Sequence, residues 1–162
     1  MIKQMNGSAT WVRVFTMIVL GAALLFLATS IAQAQRKASE DDSSVIHDYR
    51  GVQLGMLAEE VRKKLGEPKD KGDEQDFYLF GETETAQIVY DKAHKVITIS
   101  ADFLTAATSI PTAKQVFGAE VVAKADGSCY KMVRFPKAGY WLSYNRTSGN
   151  SPLTTVTLQK IQ

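Results

Sequence analysis

Twice along this chain a short amphipathic helical segment closes on a glycine and is followed by three runs of strand-forming residues. That order restricts the fold to helices laid against an antiparallel sheet. In the first instance Leu57, Val61 and Leu65 recur at i, i+4 and i+8, which predicts one apolar face. Glu59 and Glu60 precede Lys63 and Lys64, the order the helix dipole favours, and Gly66 and Pro68 stop the helix. Residues 69–76 read as a charged loop. Residues 77–80, 85–90 and 95–100 are rich in β-branched and aromatic side chains, and residues 91–94 separate the last two at hairpin length.

In the second instance Thr112 and Gln115 have capping-box spacing, Val116 and Phe117 supply apolar bulk, and Gly118 ends the helix. Strands are expected over residues 129–135, 140–145 and 153–160, the first two joined by the turn at 136–139. Gly66 to Tyr90 spans 24 positions and Gly118 to Tyr144 spans 26, so the two halves keep nearly the same internal length. The expectation is an α+β domain over residues 49–162, with short helices packed on one face of an antiparallel sheet. It is read as a tandem repeat of helix plus three strands, at about 52–103 and 110–161.

Ahead of this domain the composition changes. Lys3 and Arg13 are the only charges in the first 35 residues, and the stretch from Val14 to Ala34 is uncharged. A basic start, an apolar run and small Ala32 and Ala34 before Gln35 are the layout of a secretory signal cleaved after residue 34. Residues 35–48 read as a flexible polar leader, and the product is expected in the periplasm or outside the cell. A membrane association is expected only if the segment stays uncleaved as an anchor. No cysteine lies near the cleavage position, which argues against a lipid-anchored form.

Losing Lys3 and Arg13 leaves 17 basic and 17 acidic residues, so the mature chain is neutral and has no basic excess for nucleic acid. An internal asymmetry persists: residues 35–103 carry 10 basic and 15 acidic side chains, residues 104–162 carry 7 and 2. Cys129 is the sole cysteine, so no intramolecular disulfide can form and stability rests on the core.

The residues offer no catalytic constellation. Cys129 opens a strand with no activating motif, His94 falls in a hairpin turn and His47 in the leader. Two histidines and one cysteine, well apart, give no zinc spacing, and Asp70, Asp73, Glu74 and Asp76 lack the order of a calcium loop. Neither a catalytic residue nor a cofactor nor a metal is therefore assigned, and the expectation is a non-enzyme. What remains is an aromatic group in the second half. Alternation puts Tyr140, Leu142 and Tyr144 on one sheet face and Trp141, Ser143 and Asn145 on the other. If the first set packs on the helices, Trp141, Ser143 and Asn145 form an exposed protein-contact patch.

The run Gly55-Met56-Leu57-Ala58-Glu59-Glu60-Val61-Arg62-Lys63-Lys64-Leu65-Gly66-Glu67-Pro68, followed by Ile88-Val89-Tyr90-Asp91 and Lys95-Val96-Ile97-Thr98-Ile99, resembles the SmpA/OmlA (BamE-like) and β-lactamase-inhibitor-protein-like group. The resemblance covers residues 52–103 directly and 104–161 through the repeat. It implies an exported bacterial domain of short helices on an antiparallel sheet, with an envelope or exported protein as partner. Two departures stand out: Leu57 occupies the N-cap where the group often has Ser or Thr, and the lipidated cysteine of the outer-membrane assembly member is missing. The expected function is a protein-binding module of the cell envelope. The alternative is a small-molecule or lipid-binding module holding an apolar ligand between sheet and helices.

Overall fold

Within each half of the chain the strands are short and the turns tight, so neighbours in sequence pair as neighbours in space, while the last strand of the first half and the first strand of the second are separated by a helix and do not pair. The computed structural model describes residues 46–161, and the signal, its cleavage position and most of the leader lie outside the described residues. Helix α1 (Ala58–Leu65) is followed by β1 (Asp70–Lys71), β2 (Gln75–Phe80), β3 (Glu84–Tyr90) and β4 (Val96–Leu104). Helix α2 (Ala113–Phe117) is followed by β5 (Cys129–Phe135), β6 (Tyr140–Arg146) and β7 (Leu153–Lys160). All pairings are antiparallel in one seven-stranded sheet of order β1-β2-β3-β4-β7-β6-β5. Two meanders thus join through β4 and β7, with Ala101 opposite Val156 at the seam.

Register sorts the side chains onto two faces. One row runs Asp76, Ile88, Ile99, Leu158, Leu142, Val133, and the next runs Tyr78, Ala86, Ala101, Val156, Tyr144, Lys131. Most of these are buried and share a core cluster with Ala58 and Val61 of α1 and Ala113 and Val116 of α2. The helix stops follow the sequence: Gly66 donates to the Arg62 carbonyl, and left-handed Gly118 (φ 72°) donates to the Lys114 carbonyl. Thr112 caps α2 by accepting from Gln115 N at 3.2 Å.

Three expectations need correction. Leu57 is 45% exposed and leaves the apolar face to Ala58 and Val61, because it is an extended N-cap bridged to Lys95 rather than the first helical turn. The missing Ser or Thr cap is partly offset by Glu60, whose carboxylate accepts from Leu57 N at 3.1 Å. The charged loop at 69–76 contains a short strand, and β2 begins at Gln75, which takes Asp76 into the core with no exposed surface. β4 also runs to Leu104, beyond the expected residue 100.

Asp76 is held there by four donors. Arg62 Nε and Nη2 donate to its two oxygens at 2.8 and 2.9 Å, Tyr90 Oη donates at 2.8 Å and Gly72 N at 3.2 Å. Burial alone would raise the carboxyl, but the bonds from Arg62, Tyr90 and Gly72 outweigh it and hold Asp76 below its ordinary value. Burial and the bond to Asp76 push the Tyr90 hydroxyl well up. Tyr78, beside this network and stacked on Phe80 at 5.9 Å between centroids, is 1% exposed. Among the described residues its hydroxyl meets no partner in full hydrogen-bond geometry, although it lies close to Asp76, and burial first, with the Asp76 charge second, pushes it to about 12. An unpaired buried hydroxyl costs on the order of 1–3 kcal/mol. Tyr78→Phe is therefore expected to leave stability unchanged or raise it by about 1 kcal/mol in urea denaturation. A clear loss would show that the hydroxyl is bonded in solution.

Candidate functional site

The face opposite the core is built by the alternate residues of the same strands. Along one row it presents Phe77, Gln87, Ser100, Thr157, Ser143 and Met132. The flanking rows carry Leu79, Thr85, Asp102, Thr155, Asn145 and Tyr130, and Gln75, Val89, Thr98, Gln159, Trp141 and Arg134. On strands β2 to β7 the only charged side chains among these rows are Asp102 and Arg134. Hydroxyls and amides fill the middle, where Ser100 Oγ meets Thr157 Oγ1 at 3.0 Å and Thr155 Oγ1 donates to Asp102 at 2.6 Å. Large apolar groups stand at both lateral ends: Phe77 and Leu79 on β2, Tyr130 and Met132 on β5, all exposed.

Trp141, Ser143 and Asn145 all lie on this open face, with Tyr140, Leu142 and Tyr144 on the other. Their exposure differs from the sequence expectation. Ser143 is buried, a short side chain overtopped by its cross-strand neighbours Met132 and Thr157, and Trp141 and Asn145 are half-buried. The surface is thus carried further by Tyr130 at 62% exposure than by Ser143. Phe77, Leu79, Tyr130 and Met132 were legible as alternate strand positions, but only the register shows that they flank the same polar band.

The core face carries a concavity. Between the segment 46–50 and the segment 109–115 an open cleft of about 540 Å³ has Ile99, Ala101, Phe103, Leu142, Val156 and Leu158 as its floor. A tight turn straps one side. Tyr49 and Val52 exchange backbone bonds at 3.0 and 2.8 Å, and Arg50 and Gly51 take positive φ of 52° and 79° between them. Glu84 anchors the strap, accepting from Tyr49 Oη at 2.6 Å and from Arg50 Nε and Nη2 at 3.0 and 2.9 Å. Burial would raise Glu84, but the bonds from Arg50 and Tyr49 keep it below its ordinary value and ionised at neutral pH.

The residues weighed for chemistry are dispersed. Cys129 is buried at the start of β5, His94 stands exposed in the β3–β4 turn with φ 55°, and His47 is exposed ahead of the strap. Asp70, Asp73 and Glu74 are exposed, while Asp76 is committed to Arg62. Among the described residues no group of three or more His, Cys, Asp or Glu converges as a metal site. No family model, no curated protein and no solved structure matches the chain.

Proposed function

We propose that this chain is a non-enzymatic, exported protein-binding module that presents the open face of its sheet to another protein of the cell envelope. The observation that carries this reading is the composition of that face. A neutral band of Ser, Thr, Asn and Gln, bounded at both ends by exposed aromatic and aliphatic side chains, is depleted of charge in the way the centre of a protein interface is. Ordinary solvated surface carries about a quarter or more charged residues. Trp141 and Tyr130 sit on the adjoining strands β6 and β5, Tyr130 opposite Asn145, four residues along β6 from Trp141, and are the side chains best suited to anchor a partner.

The tandem-repeat reading supports the same architecture. Tyr90 on β3 and Tyr144 on β6 are both buried on the core face of the second strand of a meander, each meander follows a short helix, and the third strands β4 and β7 pair. Duplication of one helix-and-meander unit would leave a sheet wide enough to offer an open face while its other side is covered. The resemblance to the SmpA/OmlA and β-lactamase-inhibitor-protein-like group points to the same kind of partner.

The test is site-specific photo-crosslinking in the producing cell. A crosslinking amino acid in place of Tyr130 is expected to trap a protein partner, whereas one in place of Lys63, on the outer side of α1, is expected to trap none. With the partner in hand, Trp141→Ala is expected to weaken binding by at least about 2 kcal/mol. Adducts from position 63 alone would overturn the assignment of the face.

A further inference from the structure

We infer that the cleft on the core face is a second binding site, one that takes the hydrocarbon chain of a single-chain amphiphile whose head group is uncharged or zwitterionic. The floor is aliphatic along its length, with Leu142, Leu158 and Ile99 in one row, Val156 and Ala101 in the next, and Phe103 at the far end. From Ile99 to Phe103 it runs about 13 Å along the strand. Leu142 is 0% exposed, Ile99 and Ala101 2% and Leu158 5%, so the apolar surface that the cleft offers comes mainly from Val156 on the floor and from Ile46, Ile110 and Pro111 on the walls. The cleft is lined by aliphatic side chains, the chemistry that a methylene chain matches. Its volume falls within the range of small-ligand pockets, about 300–1,000 Å³.

The mouth sets the head group. Glu84 stands opposite Phe103, Asp48 also lines the cleft, and Arg50, the one cation among the lining residues, is already engaged by both Glu84 oxygens. Two carboxylates against one neutralised guanidinium leave an excess of negative charge. An anionic head group is repelled there, while a hydroxyl-bearing or zwitterionic one finds acceptors in Asp48 and Glu84. Tyr49 and Ile46 on one wall and Ile110 and Pro111 on the other supply apolar sides for the chain. This site lies on the opposite face from the proposed protein surface and does not depend on it.

Calorimetric titration of the exported protein with monolauroylglycerol, and in parallel with laurate, tests the inference below the aggregation concentration of each. Saturable one-to-one binding of monolauroylglycerol is expected, with laurate at least about fivefold weaker. Ala101→Phe and Val156→Phe fill the floor from two strands, and Ile110→Asp places a carboxylate on the wall. Each is expected to weaken monolauroylglycerol by at least about tenfold while the melt stays cooperative. Val156 is half-buried and Ile110 lies in a loop, so these two variants report if Ala101→Phe does not fold. Absence of saturable binding by the wild type, or wild-type binding by the folded variants, overturns the site. Tighter binding of laurate overturns the head-group assignment.

Discussion

Asp76→Ala is expected to cost about 3–5 kcal/mol of folding free energy, because it strands Arg62 beside a hole that held a fully buried carboxylate. The same change removes the acceptor for Tyr90 Oη and for Gly72 N, and it cuts the link between α1 and β2. Urea denaturation reads the loss directly. The paired replacement Arg62→Met with Asp76→Leu is expected to recover most of it, since replacing both buried charges by apolar groups is often neutral. A loss below about 1 kcal/mol for Asp76→Ala would show that water compensates the charge. The pH dependence has a fixed sign. Asp76 and Glu84 both have folded values below their unfolded ones, so their contribution is complete above the unfolded carboxylate value of about 4. It is lost as pH falls through the lower folded values. The melting temperature of the wild type is expected to drop over that acid window more steeply than that of the Arg62→Met, Asp76→Leu pair.

Tyr144→Ala is the second large effect. Tyr144 is 5% exposed in the core cluster, opposite Val156 and Lys131, and removing its ring is expected to cost about 3–5 kcal/mol. Trp141→Ala, three positions earlier on the other face and half-buried, is expected to cost less than about 2 kcal/mol despite the larger side chain. Parallel chemical denaturation of the two variants decides the faces. A larger loss for Trp141→Ala would mean that the alternation is inverted and the proposed contact surface lies in the core.

The elements most legible in the sequence were those whose punctuation is local. Gly66 and Gly118 stop helices through their own backbone freedom, and the β5 and β7 boundaries follow from runs of β-branched and aromatic residues. Asp76 was not legible. A carboxylate among Asp73, Glu74 and Gln75 looks solvated, and only the pairing with Arg62, 14 residues earlier, makes its burial tolerable. The same holds for Glu84, whose partners Tyr49 and Arg50 lie 35 and 34 residues away. The candidate face was half legible. Period-two alternation separated Trp141, Ser143 and Asn145 from Leu142 and Tyr144, but burial of Ser143 depends on which strands flank β6, and that is a property of topology. An apolar site between sheet and helices was the alternative expectation, but the residues of the cleft could not be read, because its floor comes from β4, β6 and β7 and its walls from segments about 60 residues apart in sequence.

The order of the strands also bears on how such a sheet limits edge-to-edge association. An open antiparallel sheet exposes two lateral edges, each a template for indiscriminate strand addition and aggregation. Here one edge is β1, two residues long, which covers only Asp76 and Phe77 of β2. The other is β5, seven residues long, and it carries Lys131 and Arg134 pointing to opposite sides of the sheet. Any strand docking on β5 must accommodate a cation on each face, so apolar segments of unfolded chains are poorly matched to it. The β5 rim therefore offers a poor template for strand addition, which leaves the broad face as the proposed contact surface.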